Sequence, residues 1–410
     1  MKFTKMSLVA ALLVGSSAFA IENTKVSGNA NLFYSTTQDT TDLFDKAGSA
    51  ADASVNLNIT TDLTKNDTIT VSAGAGATVL STLGLEQNLV NSVFGGAHGI
   101  TGNTSSRGAY VNSAAWMNEA WVAATVSNTT AKLGRMELDT PLAFTETWSI
   151  EKNTFEAIVA INTDLPDTTL VGAYVGNGNG TESLGATSMA QGAVAIGAVV
   201  NEDGKFDTYG KSGAYAAGVI NNSWKPLTVQ AWYYNVVQVA DAFWLQADFA
   251  QDGIMAGAQY TAVTAKGGDA DNVYALMVGY EMKDTFTAKL SYSAVNDSGS
   301  IGYAGFNTAT SAGTAQSKLY TEAWWNYGVV TKADTKAFNL TVEAPVKDIV
   351  DLGLYATMAS TSVDNVNDLT EITMTASHSF GSLDTSAAVI YADKNDNKSG
   401  MLQAYLTYNF

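Results

Sequence analysis

The sequence predicts an all-β fold: a transmembrane antiparallel up-and-down β-barrel of about eighteen strands, with short periplasmic turns and long extracellular loops. Three observations lead there. Apolar and polar residues alternate with period two, short and long connections alternate along the chain, and the last strand ends its apolar face on an aromatic residue.

The clearest alternation carries Ala53, Val55, Leu57 and Ile59 on one face, with Ser54, Asn56, Asn58 and Thr60 between them. The next segment repeats it with Ile69, Val71, Ala73, Ala75 and Ala77. Such a strand has one apolar and one polar face. In a soluble sandwich the apolar face turns inward; in a membrane barrel it turns to lipid and the polar face lines the lumen. Alternation alone leaves both open. The connections favour the barrel. Short turns fall at 64–67, 127–130, 163–167, 221–226, 251–253, 283–285, 345–350 and 381–384, and the longer stretches 80–114, 136–153, 178–211 and 297–336 lie between. Three of the four prolines, Pro166, Pro226 and Pro345, sit in these turns, where no ladder donor is lost. Strands of roughly ten residues match a tilted crossing of a bilayer.

Residues 1–20 read as a signal peptide. Lys2 and Lys5 precede an apolar run from Met6 to Val14, and Ala18-Phe19-Ala20 is a small-x-small cleavage site. The run is too short for an uncleaved anchor. The mature chain then starts at Ile21, and 21–410 forms one barrel domain without a composition break. No later stretch is long and apolar enough for a membrane helix; the nearest, Ala190 to Val200, is short and glycine-rich.

Composition excludes several function classes. A net charge of -18 argues against nucleic acid as a partner, since phosphates need a basic face. Without cysteine there are no disulfides or thiolate metal sites. Only His98 and His378 are available for metal or triad chemistry. His98 has no acidic partner nearby in sequence, and His378 shares the lipid face of its strand with Ile372, Met374 and Ala376. No cofactor is expected. Asp39, Asp42 and Asp45, or Asp393 and Asp396, offer hard oxygens for Ca²⁺ but lack EF-hand spacing, so solvated loop charge is the simpler reading. Gly74-Ala75-Gly76 and the glycines of 176–180 have no following helix or Lys-Ser/Thr, and read as close-packed glycines rather than phosphate loops.

The final strand places Leu402, Ala404, Leu406, Tyr408 and Phe410 on one face. Its end, Tyr408 and Phe410, looks like the C-terminal signature by which the barrel-assembly machinery recognises outer-membrane barrels. Aromatics near strand ends, including Tyr34, Trp116, Trp224, Phe243, Trp244, Tyr292 and Phe380, suit the bilayer interface.

From Glu119 to Asn177 the chain resembles the OprD-like porins and the related major outer-membrane porins. The likeness is carried by LGRMELDTPL (Leu133 to Leu142), NTFEA (Asn153 to Ala157) and LVGAYV (Leu170 to Val175). It implies eighteen strands, a homotrimer, and a constriction loop at 136–153 folded into the lumen. It also sets an expectation this chain departs from: channels of that family specific for basic amino acids or carboxylates carry a row of lumen arginines, and here only Arg107 and Arg135 exist. A narrow carboxylate specificity is therefore not expected.

Charge at the narrowest point decides what passes a lumen. Extrapolated alternation puts Glu119, Lys132, Glu156, Asp248, Glu281, Lys289 and Glu343 on the lumen face. The infolding loop adds Glu137, Asp139, Glu146 and Glu151, against the single cation Lys152; the side on which Arg135 falls is left open. Excess negative charge concentrates cations. The expectation is a water-filled, mildly cation-preferring channel for small hydrophilic solutes and ions, set in outer-membrane lipid. A surface-display or adhesive barrel is the alternative, with 178–211 and 297–336, including the Trp/Tyr-rich 320–327, as epitopes. An outer-membrane enzyme and a soluble β protein are the remaining competitors.

Overall fold

A strand that crosses hydrocarbon must pair every backbone N–H and C=O with neighbouring strands, because each unpaired group costs several kcal/mol there. Only a closed sheet meets that demand on both sides of every strand. The computed structural model shows such a closure. It describes residues 22–410 apart from 40, 86–88, 91, 95–99, 103–112, 149, 181–203, 311–312, 348 and 365. The proposed leader, His98 and Arg107 lie outside the described residues.

In chain order the strands are β1 (Glu22–Gln38), β2 (Ser49–Lys65), β3 (Ile69–Ser81), β4 (Ser113–Val126), β5 (Thr129–Met136) and β6 (Phe155–Asn162). Then follow β7 (Thr168–Gly178), β8 (Ala214–Asn221), β9 (Leu227–Val236), β10 (Ala240–Gln251), β11 (Ile254–Ala265) and β12 (Ala270–Met282). The last third comprises β13 (Phe286–Val295), β14 (Lys336–Val346), β15 (Val350–Ser360), β16 (Leu369–Phe380), β17 (Leu383–Lys394) and β18 (Asn397–Asn409). Each pairs antiparallel with its sequence neighbours, and β1 also pairs with β18 from Asn29↔Asn409 to Gln38↔Gly400, which closes the barrel at 18 strands. Beyond the strand pairing, Gly28 N donates to Phe410 O at 2.8 Å and Phe410 N donates to Gly28 O at 3.0 Å. Tyr408 and Phe410 both lie on the outward face, each about half exposed.

The faces are inverted relative to a soluble protein. β12 turns Tyr274, Leu276, Val278, Tyr280 and Met282 outward, 44–61% exposed, while Asp271, Val273, Ala275 and Met277 between them are buried. The same phase leaves Leu290, Leu340, Ile372, Met374, Val389 and Tyr391 exposed outside. Inside, Ser291, Ser293, Asn339, Thr373 and Gln403 are buried. Exposed apolar and buried polar side chains make a stable surface only where the outer solvent is hydrocarbon.

One end carries the turns 66–68, 127–128, 163–167, 222–226, 252–253, 283–285, 347–349 and 381–382, each within a residue or two of its expected place. The other end is less uniform than expected. Beside 82–112, 137–154, 179–213 and 296–335 it carries connections as short as 237–239, 266–269 and 395–396. Asn395 and Asp396 hold φ 52 and 63, the paired left-handed geometry that joins two twisted strands in the tightest way.

Candidate functional site

The interior is crossed by two segments. The first, 137–154, leaves the rim after Met136 and returns at Phe155. Its apolar residues Leu138, Leu142 and Ala143 pack with the inward-facing Trp232, Tyr234 and Trp244, and with Phe155 and Tyr209, in one buried cluster. Trp244 is fully buried, so it anchors the loop rather than sitting at a bilayer interface as expected; Trp116 likewise takes the inward register of Thr78. The cause for Trp116 is a bulge at Asn118, where the register slips between Gly76 and Ala77 and the facing phase shifts with it.

The second segment, 296–335, was expected at the surface. It turns inward instead. Tyr320 Oη donates to Asp248 at 2.5 Å, Tyr320 N donates to Gln259 Oε1 at 3.1 Å, and Ser293 and Thr321 share a 2.6 Å hydrogen bond. Trp325 N and Asn326 N donate to the Glu371 carboxylate of β16 at 3.0 and 2.8 Å. The Trp/Tyr-rich stretch thus meets wall polar groups from β10 to β16, and its expected place as a surface epitope is corrected. Sequence reasoning missed this because the polar partners are far away in the chain.

The two segments lock onto each other. Asn307 Nδ2 donates to Phe144 O, and Phe144 N donates back to Asn307 Oδ1, at 2.8 and 3.1 Å. Thr308 N and Oγ1 both donate to Leu142 O, at 2.8 and 2.6 Å. Glu146, fully buried, is the polar centre: its Oε1 accepts from Thr310 Oγ1 at 2.6 Å, Asn307 Nδ2 at 2.8 Å and Gln316 N at 2.9 Å. The remaining loop charges pair nearby. Lys152 bonds Glu137, and Lys318 Nζ lies 2.5 Å from Asp139 Oδ1. Glu151 reaches back to the β2 wall beside Ser54 and Asp52. Burial, reinforced by the Asp52 charge, pushes its carboxyl up to about 8 against the lowering effect of Ser54, and its Oε1 has no hydrogen-bond partner.

On the strands, the inward phase carries Glu119 and Lys132 (through Trp121 and Ala123), Asp248 (with Gln246), Glu281 (with Met277), Lys289 (with Ser291) and Glu343 (with Asn339). Lys132 Nζ sits 4.1 Å from the centre of the Trp121 ring, and Tyr355 Oη donates to Glu343 at 2.8 Å. Glu156 does not belong to this set. Phe155 and Ala157, both buried in the inner cluster, flank it, so its side chain takes the outward register of Ile158. Arg135, opposite Glu156, shares that outward register with Leu133; Arg135 Nε donates to Glu156 at 2.8 Å, and its guanidinium lies 4.1 Å from the Phe206 ring. β6 reads apolar at five consecutive positions from Ala157, so its sequence offers no phase to extrapolate. Sequence reasoning also missed Asp52 and Glu371, inward and buried, although both are polar members of alternating runs.

His378 points outward, its ring 4.5 Å from Phe380. Asp45 caps a short 3-10 turn by accepting from Ala47 N. Among the described residues no three His, Cys, Asp or Glu side chains form a metal-binding group.

No family model and no curated sequence relative matches the chain. Solved structures do. Acinetobacter baumannii OccAB2 superposes with a TM-score of 0.70 at 13% identity, over 95% of this chain and 98% of that one. A. baumannii OccAB4 gives 0.69 at 11% identity, over 95% and 99%. Pseudomonas aeruginosa OccK8 (OprE) gives 0.68 at 15% identity, over 96% and 99%. A P. aeruginosa OpdK structure solved with vanillate gives 0.67 at 12% identity, over 95% and 99%. The fold of this chain is that of the OprD-type outer-membrane barrels, the one its Glu119 to Asn177 segment resembles.

Proposed function

We propose that the chain is an outer-membrane channel for passive diffusion of small hydrophilic solutes and ions, with a mild preference for cations. The observation that carries this reading is the inward register of Glu119, Asp248, Glu281 and Glu343 around two inward-folded segments that bring further carboxylates. Fixed negative charge in a narrow, low-dielectric passage raises the local concentration of cations and repels anions. The described arginine, Arg135, is on the outer register and paired with Glu156, so it adds nothing to an anion path. OpdK was solved with vanillate, an aromatic carboxylate; the charge of this interior supports the opposite sign of solute here.

The outward apolar belt supports outer-membrane lipid as the surrounding partner, and the Tyr408/Phe410 strand supports delivery by the barrel-assembly machinery. A homotrimer follows from the sequence resemblance. The display reading is weakened, since 320–327 packs against Gln259 and Glu371 inside the barrel. Reversal potentials of the purified protein in a planar bilayer under a KCl gradient test the proposal. A potential of the sign for potassium selectivity is expected; a clear chloride preference would overturn it.

A further inference from the structure

On the inner wall of β2, β3 and β4, three lumen-facing positions stand side by side: Asn58 is opposite Gly76, and Gly76 is opposite Glu119. Because of the bulge in β4, Asn118 also turns to this spot, 3% exposed. A Cβ on Gly76 would lie 2.3 Å from Asn58 Oδ1 and 2.9 Å from Asn118 Oδ1, so both amide oxygens converge above the bare glycine. Neither oxygen has a hydrogen-bond donor, and both are buried. Buried acceptors are normally satisfied.

The neighbouring amides are satisfied. Asn56 Oδ1 accepts from Thr78 Oγ1 at 2.7 Å, and Asn29 Oδ1 accepts from Asn31 and Asn56 at 2.7 and 2.9 Å. The exception is therefore local to Gly76. The second glycine of the pair, Gly74, is already covered by the Trp121 indole, 2.5 Å from where its Cβ would be. Glu119 borders the same spot, its own Cβ 3.2 Å from where a Cβ on Gly76 would be, and Trp121 Nε1 donates to its Oε2 at 3.1 Å. Lys132 lies against the Trp121 ring, and it moderates the negative field without supplying a donor to either amide oxygen.

We propose that Asn58 Oδ1, Asn118 Oδ1 and the Glu119 carboxylate form a subsite for a small monovalent cation, an alkali ion or a primary ammonium group, in the lumen wall. The inference rests on the cation-preferring channel reading and deepens it by naming where the cation pauses. Two neutral oxygens and one carboxylate are hard donors that replace part of a hydration shell with a single compensating charge. That suits a weakly held ion in transit, since a conducting site must release what it binds. A side chain at 76 would collide with the Asn58 oxygen, so only glycine lets the two amide oxygens approach there.

The test uses the purified full-length protein in planar bilayers, with conductance measured against concentration for KCl and separately for methylammonium chloride. Wild-type conductance saturates. Asn58→Ala raises the half-saturating concentration about fivefold, the loss of roughly one acceptor. Asn58→Asp lowers it by a similar factor, a gain that a merely structural role does not produce. Saturation with KCl alone assigns an inorganic ion, and saturation with both salts includes ammonium solutes. Conductance that rises linearly in every variant, or a half-saturation that ignores Asn58, would overturn the subsite and leave the two amides bonded to each other by rotation of one. The channel reading fails separately, by an anion-selective reversal potential in the wild type.

Discussion

Replacing Glu146 by alanine should open the interior without dissolving the barrel. The carboxylate is fully buried, and one oxygen accepts from Thr310, Asn307 and Gln316, all on the second inward segment. Its removal leaves Thr310 Oγ1 and Gln316 N without an acceptor, while Asn307 Nδ2 keeps Phe144 O. Each stranded donor costs about 1–3 kcal/mol, and water entering the vacated space recovers part of that, so the contact between the segments loses roughly 2–5 kcal/mol. The strand ladder is untouched: the barrel closes through backbone pairing of β1 with β18, to which the Glu146 side chain contributes no bond. The variant is therefore expected to keep the heat-modifiable electrophoretic mobility of an assembled barrel, while its single-channel conductance rises on the order of twofold as the segments part. Glu146→Gln keeps one acceptor oxygen and should fall between. An assembled Glu146→Ala barrel with wild-type conductance and wild-type exclusion of neutral solutes would refute the idea that this carboxylate holds the constriction together.

Charges elsewhere in the barrel carry two further outcomes. Glu151 has its carboxyl raised to about 8 in the docked loop, against an ordinary value near 4.5. The protonated form is thus the one the docked loop favours: its contribution is full below pH 4.5, and is lost as pH rises through about 8, a penalty on the order of 5 kcal/mol. Current fluctuations should increase from pH 5 to 9 in the wild type and lose that dependence in Glu151→Gln; an unchanged pH response in the variant would remove Glu151 from the account. Arg135 and Glu156 are on the outward register. Replacing both by neutral residues should leave the potassium-to-chloride permeability ratio unaltered, and a large change in that ratio would place them inside.

Most of the barrel was legible because the two-solvent problem leaves its mark on every other residue. Runs such as Ser54 to Thr60 and Glu371 to Ala376 state both faces, and the turns announce themselves through Pro166, Pro226 and Asp-Gly at Asp252 and Gly253. Where one face was not distinguished from the other, the reading failed. Glu156 precedes a stretch that is apolar at every position, and only pairing with β5 fixes its side. Asn118 is the extra residue of a bulge, which re-aims Trp116 inward and brings Asn118 over Gly76; nothing local in AAWMNEAW marks it. The inward course of 296–335 depends on partners such as Asp248, Gln259 and Glu371, contributed by β10, β11 and β16, and on Glu146 from the other crossing segment. Such long-range polar matching has no period. The family resemblance makes Glu146 a lumen charge; its role as a latch between the two segments rests on tertiary contacts with Asn307, Thr310 and Gln316.

Because the chain contains no cysteine, single cysteines can be introduced on adjacent positions and probed with a membrane-impermeant thiol reagent. Thr341, Glu343 and Thr375 are inward, and Leu340, Val342 and Met374 are outward on the same strands. Cysteine at the first three should react and reduce conductance, whereas cysteine at the second three should stay inert in the bilayer. Labelling of the Leu340, Val342 and Met374 positions in place of their neighbours would contradict a water-filled interior with a lipid-facing apolar belt.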